Sequence, residues 1–224
     1  MKNKFCSLKI EERAGRMTPR RTEQILNERT RFQVGSLLAK RAFDAIFGLL
    51  VLPLMGPLML VIAFAVKLTS KGPILYWSDR IGRNNKIFSM PKFRTMKTTA
   101  PVVATHMLPD PETHLTLIGH FLRRMSLDEL PQIYSILMGD LSFVGPRPAL
   151  YNQDDLVALR TEYGVHELLP GLTGWAQVNG RDDLPIPAKV EYDREYLRKR
   201  TFLFDMKILL LTIVQVVRAD GVLH

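Results

Sequence analysis

The sequence predicts an α+β chain, mostly helical and fastened to a membrane, and three observations carry that prediction. Residues 45–66 contain no charged side chain in 22 positions. Residues 74–77, 86–90 and 92–96 are rich in β-branched, aromatic and large apolar residues and flank turn-forming residues, the pattern of a small antiparallel β-hairpin. Residues 115–125, 154–168, 190–200 and 204–218 space their apolar residues as helices do.

The uncharged run comes first. At about 1.5 Å of rise per residue it reaches roughly 33 Å as a helix, enough for the hydrocarbon core of a bilayer. Pro53 and the Gly56-Pro57 pair sit in its middle, where a proline removes a backbone donor and bends the helix. Lys40 and Arg41 precede the run and Lys67 and Lys71 follow it, so the positive-inside tendency holds both ends on the cytoplasmic side. The residues alone admit three structures: a proline-kinked span, a hairpin that dips into the bilayer and returns, and a buried core helix.

Upstream, residues 1–40 carry ten Lys/Arg against four Glu, a net +6 of the chain's +9. Near a membrane this charge attracts anionic lipid head groups at about 1 kcal/mol per basic residue. No nucleic-acid-binding module accompanies it, so nucleic acid is not an expected partner. Composition favours a loosely ordered tail over residues 1–35, the alternative being a short helix over residues 19–32, opened by Thr18 as N-cap with Pro19 at the first helical position. Cys6 is the sole cysteine, which excludes an intrachain disulfide and fits a reducing cytoplasm. The first 35 residues lack the apolar core of an export signal.

Downstream, Ser70-Lys71-Gly72-Pro73 and residues 80–85 are turns, and residues 98–113 a proline-containing loop. Residues 170–174 are predicted as loop and 175–181 as a short strand and turn. The apolar helix at 204–218 is expected to lie on the bilayer surface or cover the core.

Ser126-Leu127-Asp128-Glu129-Leu130-Pro131 has the spacing of a capping box, Ser126 with Glu129, and Asp128 in the first turn favours the helix dipole. The same geometry suits phosphoryl transfer, because a helix N-terminus attracts phosphate and keeps Asp128 ionised and nucleophilic. A magnesium ion lets a carboxylate approach a diphosphate despite their repulsion. Arg147 stands between Pro146 and Pro148, which stiffen its backbone for holding a guanidinium toward phosphate. Lys92, Arg94, Arg123 and Arg124 are further cations, each equally readable as a solvated surface charge.

With these residues laid out, residues 38–222 closely resemble the small monotopic phosphoglycosyl transferases of the bacterial sugar transferase family. The resemblance rests on Lys40-Arg41 with Asp44, Lys92-Phe93-Arg94-Thr95-Met96, Ser126 to Gln132, Gly139 to Pro148, Pro170-Gly171-Leu172-Thr173-Gly174, Gln177-Val178-Asn179-Gly180-Arg181 and Glu191-Tyr192-Asp193. It implies a monotopic protein with three parts: a basic extension (1–35), a re-entrant broken helical hairpin (36–70) and a catalytic domain with interfacial amphipathic helices (71–224). The implied location is the cytoplasmic face of the bacterial inner membrane.

The implied reaction moves a sugar-1-phosphate from a UDP-sugar to polyprenol phosphate and releases UMP, as the first membrane step of a bacterial glycoconjugate. Asp128 is then the nucleophile, forming a covalent aspartyl-phosphosugar, and the ligand of Mg2+; Glu129 orients or deprotonates the acceptor. Lys92, Arg123 and Arg147 bind phosphate, and Arg181 and Asp193 support the nucleotide end. The hairpin breaks at Gly56-Pro57 with help from Pro53, Gly56 standing where the family has serine. Anionic lipids, a second copy of the chain and downstream glycosyltransferases are the other partners considered. Two rival readings are a membrane-anchored adaptor without catalysis and a nucleotide-sugar pyrophosphatase.

Overall fold

The uncharged segment forms part of one helix, α1 (Pro19–Thr69), 51 residues long. The computed structural model describes residues 19–100, 111–180 and 184–218, with the side chains of residues 37–100, 112–180 and 184–216. It divides the chain into two compact units, Met1–Phe43 and Asp44–His224. The helix begins at Pro19, the start of the alternative reading of the tail, and runs on past Phe32. Its segment Leu37–Thr69 is long and apolar enough to cross a membrane.

Helix α1 continues through Pro53, Gly56 and Pro57, where the break is predicted; a proline kink bends a helix without ending it. A proline costs one hydrogen bond and crowds the preceding turn, but the surrounding ladder of Leu, Met and Ala, all good helix formers, survives it.

Several groups end α1 together. Thr69 Oγ1 and Ser70 Oγ donate to the carbonyls of Ala65 and Val66, at 2.7 and 3.1 Å. The Arg94 guanidinium donates to the carbonyls of Ser70, at 2.9 Å, and Lys71. Gly72, at φ +121°, then turns the chain toward the sheet, a conformation that favours glycine.

Both ends of the uncharged run pack on other residues of the second unit, to which the run belongs. Asp44, 1% exposed, accepts the backbone N–H of Phe143 at 3.2 Å, and Phe47 meets the Phe143 ring edge-on at 4.9 Å. At the other end Ile62 and Val66 are buried with Phe93 and Leu122, each aliphatic side chain contributing about 1.5–3 kcal/mol. Between these ends Leu49, Leu50, Leu54, Leu60 and Val61 are 61–74% exposed.

The predicted hairpin is present: β1 (Leu75–Ile81) pairs antiparallel with β2 (Ile87–Phe93), Leu75 opposite Phe93 and Ile81 opposite Ile87. Arg80 and Ile81, predicted in the turn, extend β1. The turn closes through the Gly82 N–H donating to the Lys86 carbonyl at 2.7 Å, with Asn84 and Asn85 in the left-handed region that asparagine tolerates.

Next come α2 (Gly119–Arg124), a 3₁₀ segment (Leu127–Gln132), α3 (Ile133–Met138) and β3 (Ser142–Val144). After α4 (Asp154–Glu162), β4 (Gly171–Thr173) pairs parallel with β3, Ser142 opposite Gly171 and Val144 opposite Thr173. The loop expected at 170–174 is therefore corrected; three residues are too few to show alternation.

The strand expected at 175–181 is corrected too: Trp175–Gly180 is a helix, α5. Tertiary contacts override the β-prone Trp175 and Val178, because the Val178 N–H donates to the Gly174 carbonyl and Gln215 donates to the Val178 carbonyl. Two amphipathic helices close the described chain, α6 (Ile186–Lys199) and α7 (Phe202–Arg218). Helix α7 buries Ile208 and Asp205 and exposes Leu203, Leu210 and Ile213, so it covers the core with one face and leaves an apolar face outward. The main core joins Met90, Ile136, Leu141, Phe143, Val144, Leu168, Tyr196 and Ile208.

Candidate active site

The site gathers where β2, the end of α2, the 3₁₀ segment and the loop after β3 converge. Ser126 adopts φ 53°, ψ 22°, a left-handed reversal between α2 and the 3₁₀ segment. That reversal brings Arg123, in the last turn of α2, into the field of Asp128. Arg123 is held by donating through Nε to Thr95 Oγ1 at 3.0 Å. Lys92 lies on β2 opposite Tyr76.

The loop carrying Arg147 is fastened by backbone bonds. The Gly145 N–H donates to the Thr173 carbonyl and the Gly171 N–H to the Pro146 carbonyl, both at 2.9 Å. The chains approach so closely that a Cβ on Gly171 would run into the Gly145 backbone, and one on Gly145 into the Leu169 carbonyl. The glycines of the two motifs thus explain each other: the crossing needs bare backbone on both sides.

Glu129 Oε1 accepts from Lys92 Nζ at 2.7 Å and from Arg147 Nη2 at 3.1 Å. Asp128 is 7% exposed, and its carboxylate accepts no hydrogen bond among the described residues. Burial pushes its pKa up to about 6; Glu129 adds to the rise, while Lys92, Arg123 and Arg147 pull it back. Burial also lowers the pKa of Arg123, against the attraction of Asp128.

Two expectations change here. Ser126 makes no side-chain cap, and Glu129 serves two cations, so the capping box is absent. The helix dipole is also not what governs Asp128: the 3₁₀ segment is six residues long, and desolvation is the leading influence on its carboxyl. The cations oppose that influence.

Of the predicted site residues, Lys92, Arg123, Asp128, Glu129 and Arg147 come together. Asp193, on α6, is 1% exposed and takes two bonds on Oδ2 from Arg160, at 3.0 Å from Nε and 2.7 Å from Nη2. Arg181 lies outside the described residues. Arg94 is the clamp on the end of α1 described above. Sequence reasoning missed Arg160, one charge among many on an amphipathic helix, and Thr95, whose hydroxyl orients Arg123.

A magnesium ion fits this donor set. Among the described residues no cluster of three or more His, Cys, Asp or Glu could hold a metal, but Mg2+ is commonly bound by one or two carboxylates with substrate phosphates completing its shell. Asp128 offers hard oxygen donors not engaged by hydrogen bonds among the described residues.

Residues 35–219 match the family described as bacterial sugar transferase. The chain is 40% identical over 183 residues to the UDP-glucose:undecaprenyl-phosphate glucose-1-phosphate transferase of Escherichia coli, covering 79% of this chain and 39% of that protein. It is 39% identical to the uncharacterized sugar transferase EpsL of Bacillus subtilis, covering 83% and 91%. To the undecaprenyl-phosphate galactose phosphotransferase of Salmonella typhimurium it is 34% identical, covering 83% and 42%. A carboxylate pair in a cationic cradle beside a long apolar helix is thus seated in a known sequence class. The chain belongs to the bacterial sugar transferase family. It spans about two fifths of the length of the E. coli relative.

Proposed function

We propose that the chain is a phosphoglycosyl transferase that moves a sugar-1-phosphate from a UDP-sugar to undecaprenyl phosphate. The observation that carries this reading is Asp128: a buried carboxylate without a hydrogen bond among the described residues, in the field of three cations, with a pKa pushed up to about 6. At pH 7 about 90% of such a group is ionised, and few of its lone pairs are engaged.

In the first step an Asp128 oxygen attacks the β-phosphorus of the donor. The bond from that phosphorus to the bridging oxygen breaks, and UMP leaves with the electron pair. In the second step an oxygen of the lipid phosphate attacks the same phosphorus and displaces the carboxylate, giving polyprenyl diphosphate sugar. Lys92, Arg123 and Arg147 hold phosphate oxygens, and Glu129 receives the acceptor side. Asp128 would hold Mg2+, which neutralises diphosphate charge when bound. The glucose and galactose in the relatives' names support a hexosyl UDP-sugar as the first donor to test.

The pH dependence follows from Asp128. Formation of the adduct, read as a UMP burst without acceptor, should fall tenfold per pH unit below about 6. A midpoint near 4 would contradict the role of burial. The stability effect runs the other way. A carboxyl whose folded pKa lies above its unfolded one makes the native state bind the proton first, so its stabilising contribution is full below about 4 and is lost as pH rises through about 6.

We read α1 as re-entrant, lying in the cytoplasmic leaflet of the bacterial inner membrane. A straight helix separates Asp44 from Val66 by roughly 33 Å. Yet Asp44 and Phe47 contact Phe143, which shares a core with Met90, while Val66 shares a cluster with Phe93. Met90 and Phe93 are three residues apart on β2, about 10 Å. One domain touching both ends of an uncharged run favours return to the same side. Cysteines at Leu38 and Lys71, in a Cys6→Ser background, should both be labelled from the cytoplasm by a membrane-impermeant maleimide; opposite sidedness would establish a span.

A further inference from the structure

One buried ion pair lies outside the carboxylate and cation cradle but reaches its backbone. Arg160 on α4 is 8% exposed and engages Asp193 through Nε and Nη2. Its remaining arm, Nη1, donates to the Arg147 carbonyl at 2.7 Å. A single guanidinium therefore ties two helices, α4 and α6, to the loop that presents Arg147.

A buried pair of this kind adds little stability that apolar packing could not supply. Its geometry suggests what it does supply. Pro148 restricts the backbone of Arg147 to extended conformations, which narrows the orientation of the peptide plane between them without fixing it. A charge-assisted bond to the carbonyl of that plane fixes it. From there the Arg147 side chain reaches Glu129, with Nη2 at 3.1 Å.

We infer that Arg160 is a positioning residue: braced by Asp193, it holds the Arg147 backbone so that the guanidinium of Arg147 faces the donor phosphate. Asp193 acts on the donor through two intervening arginines and not by touching the nucleotide. The inference rests on the proposed role of Arg147 as a phosphate clamp.

A double-mutant cycle in full-length protein, with UMP release as readout, tests it. Arg160→Lys keeps a positive charge beside Asp193, but its single nitrogen lacks the planar fork that spans carboxylate and carbonyl. It is expected to raise KM for the UDP-sugar about tenfold with a thermal midpoint within a few degrees of the parent. Arg147→Ala alone should lose more. In the Arg147→Ala background, Arg160→Lys should cost less than about twofold. An equal loss in both backgrounds would make Arg160 purely structural and overturn the inference. Wild-type turnover by Arg147→Ala would instead remove the phosphate-clamp reading and the inference with it. Asp193→Asn, which keeps an acceptor oxygen for Arg160, should reproduce the pattern more weakly; it decides the matter should the lysine variant fail to fold.

Discussion

Asp128→Asn is expected to abolish UMP release from a UDP-sugar, undecaprenyl phosphate and Mg2+, by on the order of 10³–10⁶-fold, the range seen when a nucleophile is removed. Asparagine nearly matches aspartate in shape, so the cations keep their places around Glu129. What disappears is the ionised oxygen proposed to bond to phosphorus. Because Asp128 is buried and has a raised pKa, taking away its charge also takes away a desolvation cost. The inactive variant should therefore melt no lower than the parent at pH 7. Trapping with labelled donor and mass analysis of the peptide carrying residue 128 supplies the direct measurement. Turnover without an adduct would refute the covalent route, and release of UDP instead of UMP would mean ordinary glycosyl transfer. Hydrolysis of the donor without undecaprenyl phosphate would identify a pyrophosphatase, and a glycan defect rescued by the asparagine variant an adaptor.

Gly171→Ala is expected to lose the fold around the site. The added methyl would meet the backbone of Gly145, which has no flexible end to move aside. Overpacking commonly costs about 1–3 kcal/mol, and more where backbone must shift, against a total stability of about 5–15 kcal/mol. The Pro146 carbonyl would also lose its bond from residue 171, freeing the loop that carries Arg147. Thermal unfolding in detergent should show a midpoint lowered by several degrees or no cooperative transition. Gly56→Ala is the control: a Cβ there meets nothing within 4 Å, so its midpoint should hold. Equal midpoints for the two variants would refute the close-approach argument.

Much of this site was legible before any coordinates, for a physical reason. Asp128, Glu129 and Arg147 stand in segments whose prolines and adjacent charges are unusual locally, so they draw attention without tertiary information. Lys92 could be named as a cation but not placed, since its pairing with Glu129 spans 37 positions. Arg160 left no trace in the sequence, because its role depends on one nitrogen reaching a backbone carbonyl. The hairpin was visible through its turn and strand composition, whereas the parallel pair β3 and β4 was invisible, each strand being three residues long. Helix α5 was misread because local β propensity yielded to packing against α7.

Arg94 grips the end of α1 from a position two residues beyond Lys92, just past the end of β2. Two residues of extended chain measure about 7 Å, so, with α1 re-entrant as proposed, the point where the chain leaves the lipid and the cation that pairs with Glu129 are gauged against one another by a short spacer. On that proposal the height of the Asp128 carboxyl above the acyl chains is set within the protein. Lipids of different thickness should tilt or sink the whole assembly together, leaving the distance between exit point and chemistry unaltered.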